Sequence, residues 1–208
     1  MKYNLNSVGI YTDERYECIY TTINSAKEKN SAAIGLKYLG EDKVACRIFE
    51  GSKTLTNIME TKQYVVNITQ DPLIFTKSTI DSLPEEYYTD DEDIAILKDA
   101  GSYIIVEAES IEELSPEDTP IKKGNGGYLI KGKIKDFIIN NEMIKAYNRG
   151  FSALIECLVN YTRYNIVDDM QKEYYLGRVK ENKRMINRIG NEKTKYAMDL
   201  IEKEYKKS

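Results

Sequence analysis

The chain has 208 residues, of which 41% are hydrophobic and 31% are charged, and such a chain buries roughly 70% of its unfolded surface on folding. This composition excludes disordered and collagen-like classes. The formal net charge is -4 and there is no histidine, which excludes Ser-His-Asp triads, Cys-His pairs and histidine-ligated metal sites.

The sequence gives no sign of a membrane segment or of a metal site. It has no apolar run near the ~18 residues that a spanning helix needs, and residues 1–10 lack the basic start and apolar stretch of a signal peptide. We therefore expect a soluble, cytoplasmic protein with no membrane partner. Cys18, Cys46 and Cys157 lie far apart, with no CxxC spacing, inside apolar runs. They are predicted to be reduced core thiols, with no metal bound.

The first two thirds of the chain are rich in β-type segments separated by turns. Six strands are predicted, at residues 16–23, 31–39, 43–50, 63–69, 102–110 and 127–139. A short helix is predicted at 52–61, and Asp71-Pro72 begins another helical turn. A loop at 112–126, with a turn at 124–127, joins the last two strands. Six strands with few helical crossovers favour a closed antiparallel barrel.

Charge is unevenly distributed along the chain. Residues 81–118 carry 14 acidic residues and one base, Lys98, for a net charge of -13. Such a block is usually a solvated excursion, and an acidic docking surface is the alternative. From residue 140 onward a mild basic excess is scattered along predicted helices. Together with the net charge of -4, this pattern argues against a nucleic-acid partner.

The last third of the chain changes to helical spacing. A long amphipathic helix is predicted from the recurrence of Ile144, Tyr147, Phe151, Leu154, Ile155 and Leu158. Two further helices are predicted around residues 185–189 and 197–204, with Gly190-Asn191 between them. We therefore expect an α+β protein with a barrel domain at 1–139 and a helical subdomain at 140–208.

One segment combines several features of an anion site. Arg47 lies on a predicted strand, and Gly51-Ser52-Lys53-Thr54 leads into the helix that carries Asn57. A helix N-terminus offers unpaired N–H groups and the positive end of a dipole, and an arginine can bind a phosphate with two hydrogen bonds. A nucleotide monophosphate would suit this segment. The alternative is that Ser52 or Thr54 is only an N-cap and Arg47 only a surface charge.

Several segments, in their order along the chain, resemble the FMN-binding split-barrel proteins, which include the flavin reductases. They are Thr21-Thr22-Ile23-Asn24, residues 30–35 (NSAAIG), Arg47, residues 51–58 (GSKTLTNI), Val65-Val66-Asn67-Ile68 and Asp71-Pro72. The helical tail of this chain also resembles that of a mainly archaeal group of uncharacterised flavoproteins, at Asn148-Arg149-Gly150, Glu156 and Thr162-Arg163. The chain departs from that group at Ala33, where proline is frequent, and at Asn160, where histidine is frequent.

The resemblance implies a homodimeric, Greek-key-like split barrel that binds FMN near the subunit interface. It implies that the phosphate is held by Arg47, Ser52, Thr54 and Asn57. It also implies that the isoalloxazine ring is lined by Thr21, Thr22, Asn24 and Asn30. Because threonine-rich strands are common in barrels, a purely structural role for these ring residues is the alternative. The resemblance identifies no catalytic residue.

FMN is consistent with the absence of histidine, because the cofactor carries the electron chemistry. The first functional hypothesis is an FMN-dependent oxidoreductase of flavin-reductase type that uses NADH, NADPH or another electron donor. No GxGxxG motif is present, so a nicotinamide would bind only transiently. The alternatives are a flavin-binding electron carrier without turnover and a scaffold whose C-terminal helices recruit a partner.

Overall fold

A computed structural model describes residues 3–12, 14–115 and 126–206. In these ranges six strands form a closed antiparallel barrel in the order β1-β2-β3-β6-β5-β4. Their bounds are β1 (Arg15–Ile23), β2 (Lys29–Gly40), β3 (Lys43–Phe49), β4 (Gln63–Ile68), β5 (Ser102–Leu114) and β6 (Gly127–Ile139). Strand β3 pairs with β6 and not with β4, which follows it in the chain, so the order of the strands is Greek-key-like. The predicted fold class is confirmed. Most of the predicted loop at 112–126, including turn residues 124 and 125, lies outside the described residues.

The barrel interior is filled by alternate residues of each strand, because successive side chains point to opposite faces of a sheet. On β1 these are Tyr16, Cys18 and Tyr20, each at most 2% exposed. Tyr20 stacks on Tyr64 of β4, with 5.4 Å between ring centroids. Burial raises the pKa of the Cys46 thiol to about 12, so the unreactive thiol form predominates at neutral pH. All three cysteines are buried and free, as predicted.

Two helices connect strands within the barrel unit. The first, α1 (Lys53–Thr61), lies between β3 and β4, and α2 (Pro72–Ile80) follows β4. Leu55 and Ile58 of α1 belong to the barrel core, so this helix is packed directly on the barrel. The first helix matches the prediction at 52–61, and α2 begins at the predicted Asp71-Pro72 but extends over nine residues where only a helical turn was predicted.

The chain between α2 and β5 packs on the outside of the barrel. Its Leu83, Tyr88 and Leu97 are buried in a small cluster with Ile19 of β1. Lys29 lies under the segment at 85–89, where its Nζ is 2.6 Å from Glu85 Oε1 and 3.1 Å from the Thr89 carbonyl oxygen. The acidic side chains of the segment are exposed. Of the predicted acidic block at 81–118, residues 102–114 form β5, and the part at 81–101 is solvated on one side and anchored by apolar contacts on the other.

Asn67 of β4 connects this segment to the barrel by hydrogen bonds. Its Nδ2 donates to the Ile19 carbonyl oxygen at 3.1 Å and to Thr21 Oγ1 at 2.9 Å, and its Oδ1 accepts from Leu97 N at 3.0 Å. The Thr21 hydroxyl donates in turn to the Ala95 carbonyl oxygen. Asn67 and Thr21 are completely buried. They hold residues 95–97 against the outer face of β1 and β4.

The chain divides into two compact units, one containing the described parts of 1–12 and 16–147 and the other those of 13–15 and 148–208. The second unit contains α3 (Arg149–Tyr164), α4 (Asp169–Ile189) and α5 (Glu192–Tyr205). They share an apolar core that includes Leu154, Cys157, Val179, Ile186, Met198 and Tyr205. In the described part of the chain no helix is long and apolar enough to cross a membrane.

The first helix of this unit begins later than its apolar spacing predicted, so Ile144 and Tyr147 lie before it. The reason is a strong N-cap: Asn148 Oδ1 accepts from Gly150 N at 2.8 Å, and its Nδ2 donates to the Ile189 carbonyl oxygen at 2.8 Å. A Cβ on Gly150 would lie 3.3 Å from the Gly190 Cα atom. Glycine at 150 therefore allows the start of α3 and the end of α4 to approach closely.

We expect Gly132→Ala to destabilise the barrel by roughly 1–3 kcal/mol through overpacking. An added Cβ would lie 2.4 Å from Val106 Cγ1 and 2.6 Å from the Tyr64 hydroxyl oxygen. Urea unfolding of the ligand-free protein measures the change. Gly35→Ala is the matched control, because a Cβ there meets no atom within 4 Å. Equal stability of the two variants would contradict this packing.

We expect Asn67→Ala to lower the free energy of unfolding by at least about 2 kcal/mol, because it leaves the buried Leu97 N–H without a partner and removes the donor to the Thr21 hydroxyl oxygen. The control is Asn6→Ala on an exposed side chain, which should change stability by less than about 0.5 kcal/mol. Thermal or urea unfolding distinguishes the two. A loss no larger than that of the control would show that Asn67 does not anchor the segment.

Candidate functional site

The chain between β3 and α1 makes a tight turn into the helix. Gly51 has a φ of 78°, which residues with a side chain rarely adopt, and a Cβ there would meet no atom within 4 Å. Ser52 is the N-cap, and its side chain accepts a hydrogen bond from Leu55 N at 3.3 Å. The first turn has no acidic residue, and Lys53 is exposed. The N-terminus of α1 is therefore electropositive and accessible, which suits an anion.

Arg47 lies on the outer face of β3. Its side chain is exposed, whereas the neighbouring Cys46 and Ile48 belong to the barrel core. Because Leu36 of β2 is the register partner of Cys46, Gly35 comes next to Arg47 on the outer face. Gly35 is exposed, with no atom within 4 Å of an added Cβ. The base of the Arg47 side chain thus adjoins open sheet surface, where a planar ligand has room.

Four of the predicted site residues meet where α1 packs on the barrel. Asn57 Nδ2 donates to Thr22 Oγ1 of β1 at 3.0 Å, and Asn30 Nδ2 of β2 donates to Thr54 Oγ1 at 2.9 Å. All four side chains belong to residues that are at most 8% exposed. With Asn67–Thr21 they make three pairs in which a buried asparagine amide donates to a threonine hydroxyl. We call them the three amide–hydroxyl pairs.

A narrow cleft opens where β1 and β4 separate. Their register pairing reaches Thr21↔Val65. The cleft beyond it is lined by residues 21–23, 63–65 and 93–95. Its volume of about 10 Å³ is roughly the space for one water. A larger ligand would therefore lie across the mouth of the cleft and not inside it.

Asn24 lies apart from these residues, in the turn between β1 and β2. Its Oδ1 accepts from Glu28 N at 2.9 Å, and its Nδ2 donates to Glu28 Oε2 at 2.8 Å. Nearby, Lys27 Nζ lies 2.7 Å from an oxygen of Asp93, and this hydrogen bond lowers the pKa of the Asp93 carboxyl group. The Asn24 side chain therefore stabilises the turn.

The structure separates the eight predicted residues into distinct places. Thr22, Asn30, Thr54 and Asn57 come together under α1, whereas Ser52 caps the helix and Arg47 lies on the outer sheet face. Thr21 points to the opposite side of β1 from Thr22. The candidate residues did not include Asn67, although an asparagine in the apolar strand QYVVNI is itself a signal of a buried polar contact. Among the described residues no group of three or more Cys, Asp or Glu side chains could hold a metal ion.

Comparisons with known proteins agree with this architecture. The family model described as "Protein of unknown function (DUF447) N-terminal domain" matches residues 16–123, and the model described as "Protein of unknown function (DUF447)" matches residues 148–203. The uncharacterised protein MJ1453 of Methanocaldococcus jannaschii is 27% identical over 190 residues, which cover 89% of this chain and 95% of that protein.

Two solved structures also resemble the chain. The FMN-bound protein MM1853 from Methanosarcina mazei, of the DUF447 family, has 26% sequence identity and a TM-score of 0.55, with 96% of this chain and 99% of that chain covered. Nitrilotriacetate monooxygenase component B from Bacillus cereus shares the fold at 14% identity and a TM-score of 0.50, with 71% and 82% covered. The expected likeness to FMN-binding split-barrel proteins is confirmed. Because the first family model alone spans more than half of the residues, this chain belongs to the DUF447 family.

Proposed function

We propose that this protein binds FMN and acts as an oxidoreductase of flavin-reductase type. The observation that carries the proposal is the similarity to FMN-bound MM1853 over 96% of this chain. Two features support it: an exposed arginine, Arg47, near the C-terminal end of β3, and the electropositive N-terminus of α1, which follows that strand. The homodimer and the cytoplasmic location expected from the sequence belong to the same proposal.

The residues of the barrel suit the phosphate of FMN. Arg47 would supply a guanidinium, and the backbone N–H groups at Lys53 and Thr54 would point at the phosphate from the start of α1. The open space at Gly51 lets an anion approach the backbone closely. Each charge-assisted hydrogen bond contributes about 1.5–3 kcal/mol, so three of them would anchor the nucleotide.

The ring of the flavin would lie over the outer sheet surface and the mouth of the cleft. Exposed Ala33 and Gly35 offer a flat surface without large side chains. Thr21, Thr22, Asn24 and Asn30 were expected to line the ring. Because their side chains are engaged within the protein, backbone groups of these residues would make the polar contacts.

Bound FMN would supply the redox chemistry, taking up a hydride from a reduced nicotinamide with a proton from water and passing two electrons to an acceptor. The residues of this chain would bind and orient the flavin, since the sequence offers no histidine as an acid or base. The barrel core beneath the site is apolar and excludes water from one side.

A scaffold role has one observation in its favour. In α3, Phe151 is 62% exposed, and Ile155 and Leu158 are each 39% exposed. These residues follow one another at helical spacing, and such an apolar stripe is a typical contact surface. A protein that binds no flavin but retains a partner through α3 would fit this second candidate.

We expect Arg47→Ala to weaken FMN binding roughly 10- to 100-fold, the value of one charge-assisted interaction with a phosphate. Riboflavin, which has no phosphate, should bind more weakly than FMN to the native protein and equally well to both proteins. Fluorescence quenching of the flavin measures both affinities. Lys43→Ala is the control, because Lys43 lies at the other end of β3 and pairs with Glu109. An unchanged FMN affinity in Arg47→Ala would remove Arg47 from the phosphate site.

Mixing the FMN-loaded protein with NADH or NADPH under anaerobic conditions tests the reaction. An oxidoreductase should lose its flavin absorbance near 450 nm at a rate that supports turnover, roughly 1 per second or faster. An electron carrier should keep its absorbance until a reduced partner protein is supplied. Absence of bound flavin altogether would favour the scaffold.

A further inference from the structure

We propose that the three amide–hydroxyl pairs are positioning devices for the flavin and not ligands of it. The pairs Asn57–Thr22 and Asn30–Thr54 would fix the helix that faces the phosphate, and Asn67–Thr21 would fix one wall of the cleft beneath the ring. This inference rests on the proposed FMN function. It reassigns five of the residues that the family resemblance suggested as ligands or site neighbours, and it adds Asn67.

The first two pairs attach α1 to two neighbouring strands. A helix of nine residues has little stability of its own, so its position depends on its contacts. Thr54 and Asn57 lie three residues apart on one face of α1, and they bond to β2 and β1 respectively. These attachments set the direction in which the first N–H groups of α1 point.

The burial of these side chains argues against direct contact with a ligand. Thr54 is 2% exposed and Thr22 is 2% exposed, so almost no surface of either residue is open to a bound molecule. A threonine hydroxyl that accepts from an amide retains one proton to donate. With so little of either residue exposed, that proton is out of reach of a bound molecule, so FMN would depend on these residues only through the placement of α1.

The third pair lies at the cleft, on the opposite face of β1 from the Asn57–Thr22 pair. Thr21 Oγ1 accepts from Asn67 and donates to the Ala95 carbonyl oxygen, and Ala95 is part of the cleft wall at 93–95. Because Thr21 and Thr22 point to opposite faces of β1, the wall and the helix are held independently. Loss of the Thr21 pair should therefore affect the surroundings of the ring and leave the phosphate interaction intact.

A double-mutant cycle separates positioning from direct binding. If two side chains bind FMN independently, the effects of their substitutions on FMN affinity multiply. If the two side chains form one hydrogen-bonded pair, either substitution removes the same interaction and the second adds little. The variants are Thr54→Val, Asn30→Ala and the double variant, with FMN and riboflavin affinities measured for each. Thr79→Val is the matched control, because Thr79 is exposed on α2 and its hydroxyl donates to the Phe75 carbonyl oxygen of the same helix.

For the α1 pair we expect each single variant to bind FMN about tenfold more weakly and the double variant also about tenfold, not a hundredfold. Riboflavin affinity should change by less than about twofold, since the phosphate contact is what depends on α1. Thr54→Ser, which keeps the hydroxyl, should restore FMN affinity. The positioning role would be overturned if the double variant lost FMN affinity by the product of the two single losses. It would also be overturned if Thr54→Ser failed to restore FMN binding.

For the Thr21 pair we expect Thr21→Val to change FMN and riboflavin affinities by the same factor and to shift the midpoint potential of the bound flavin. Thr21→Ser should return both to the native values. An effect confined to FMN would overturn the assignment of this pair to the ring. If the native protein binds neither flavin, the proposed function and this inference fail together. If the native protein binds both flavins but the losses of FMN affinity in the two single variants multiply in the double variant, the inference alone fails.

Discussion

The hydrogen bond from a buried asparagine amide to a threonine hydroxyl is the polar contact that attaches α1 to β1 and β2. The barrel interior is otherwise filled mainly by aliphatic side chains, cysteines and tyrosines. At the end where α1 packs, polar groups are buried, and each unpaired one would cost about 1–3 kcal/mol. Pairing Asn57 with Thr22 and Asn30 with Thr54 avoids this cost for these four side chains. The pairs therefore add a directional constraint on the position of the helix to that of its apolar contacts.

The strands could be predicted because β-branched and aromatic runs end at recognisable turns. The order of the strands could not be derived in the same way, since the contact of β3 with β6 joins residues such as Arg47 and Leu129 that lie far apart in the chain. The start of α3 could not be predicted from the apolar spacing either. Ile144 and Tyr147 continue the helical period, but a single capping asparagine at 148 decides where the helix begins.

The sequence suggested candidate site residues, but it could not predict how they are arranged in space. Ser52 has the features of an N-cap, and the cap is present. Alternation along β1 separates Thr21 from Thr22, yet sequence alone cannot say which strand or helix each hydroxyl meets. Asn67 shows the same limit, because its partner Leu97 N lies in a segment whose composition indicates only that it is acidic. Long-range pairing supplies the missing information in each case.

The lysine beneath the acidic segment also constrains how that segment moves. Thr89 N–H donates to the Ile96 carbonyl oxygen and Lys98 N–H donates to the Tyr87 carbonyl oxygen, above the buried side chain of Lys29. The ammonium group binds both Glu85 and the Thr89 carbonyl oxygen, so it attaches this part of the segment to β2. We therefore expect the amide protons of Thr89 and Lys98 to exchange with solvent more slowly than those of a fraying surface loop.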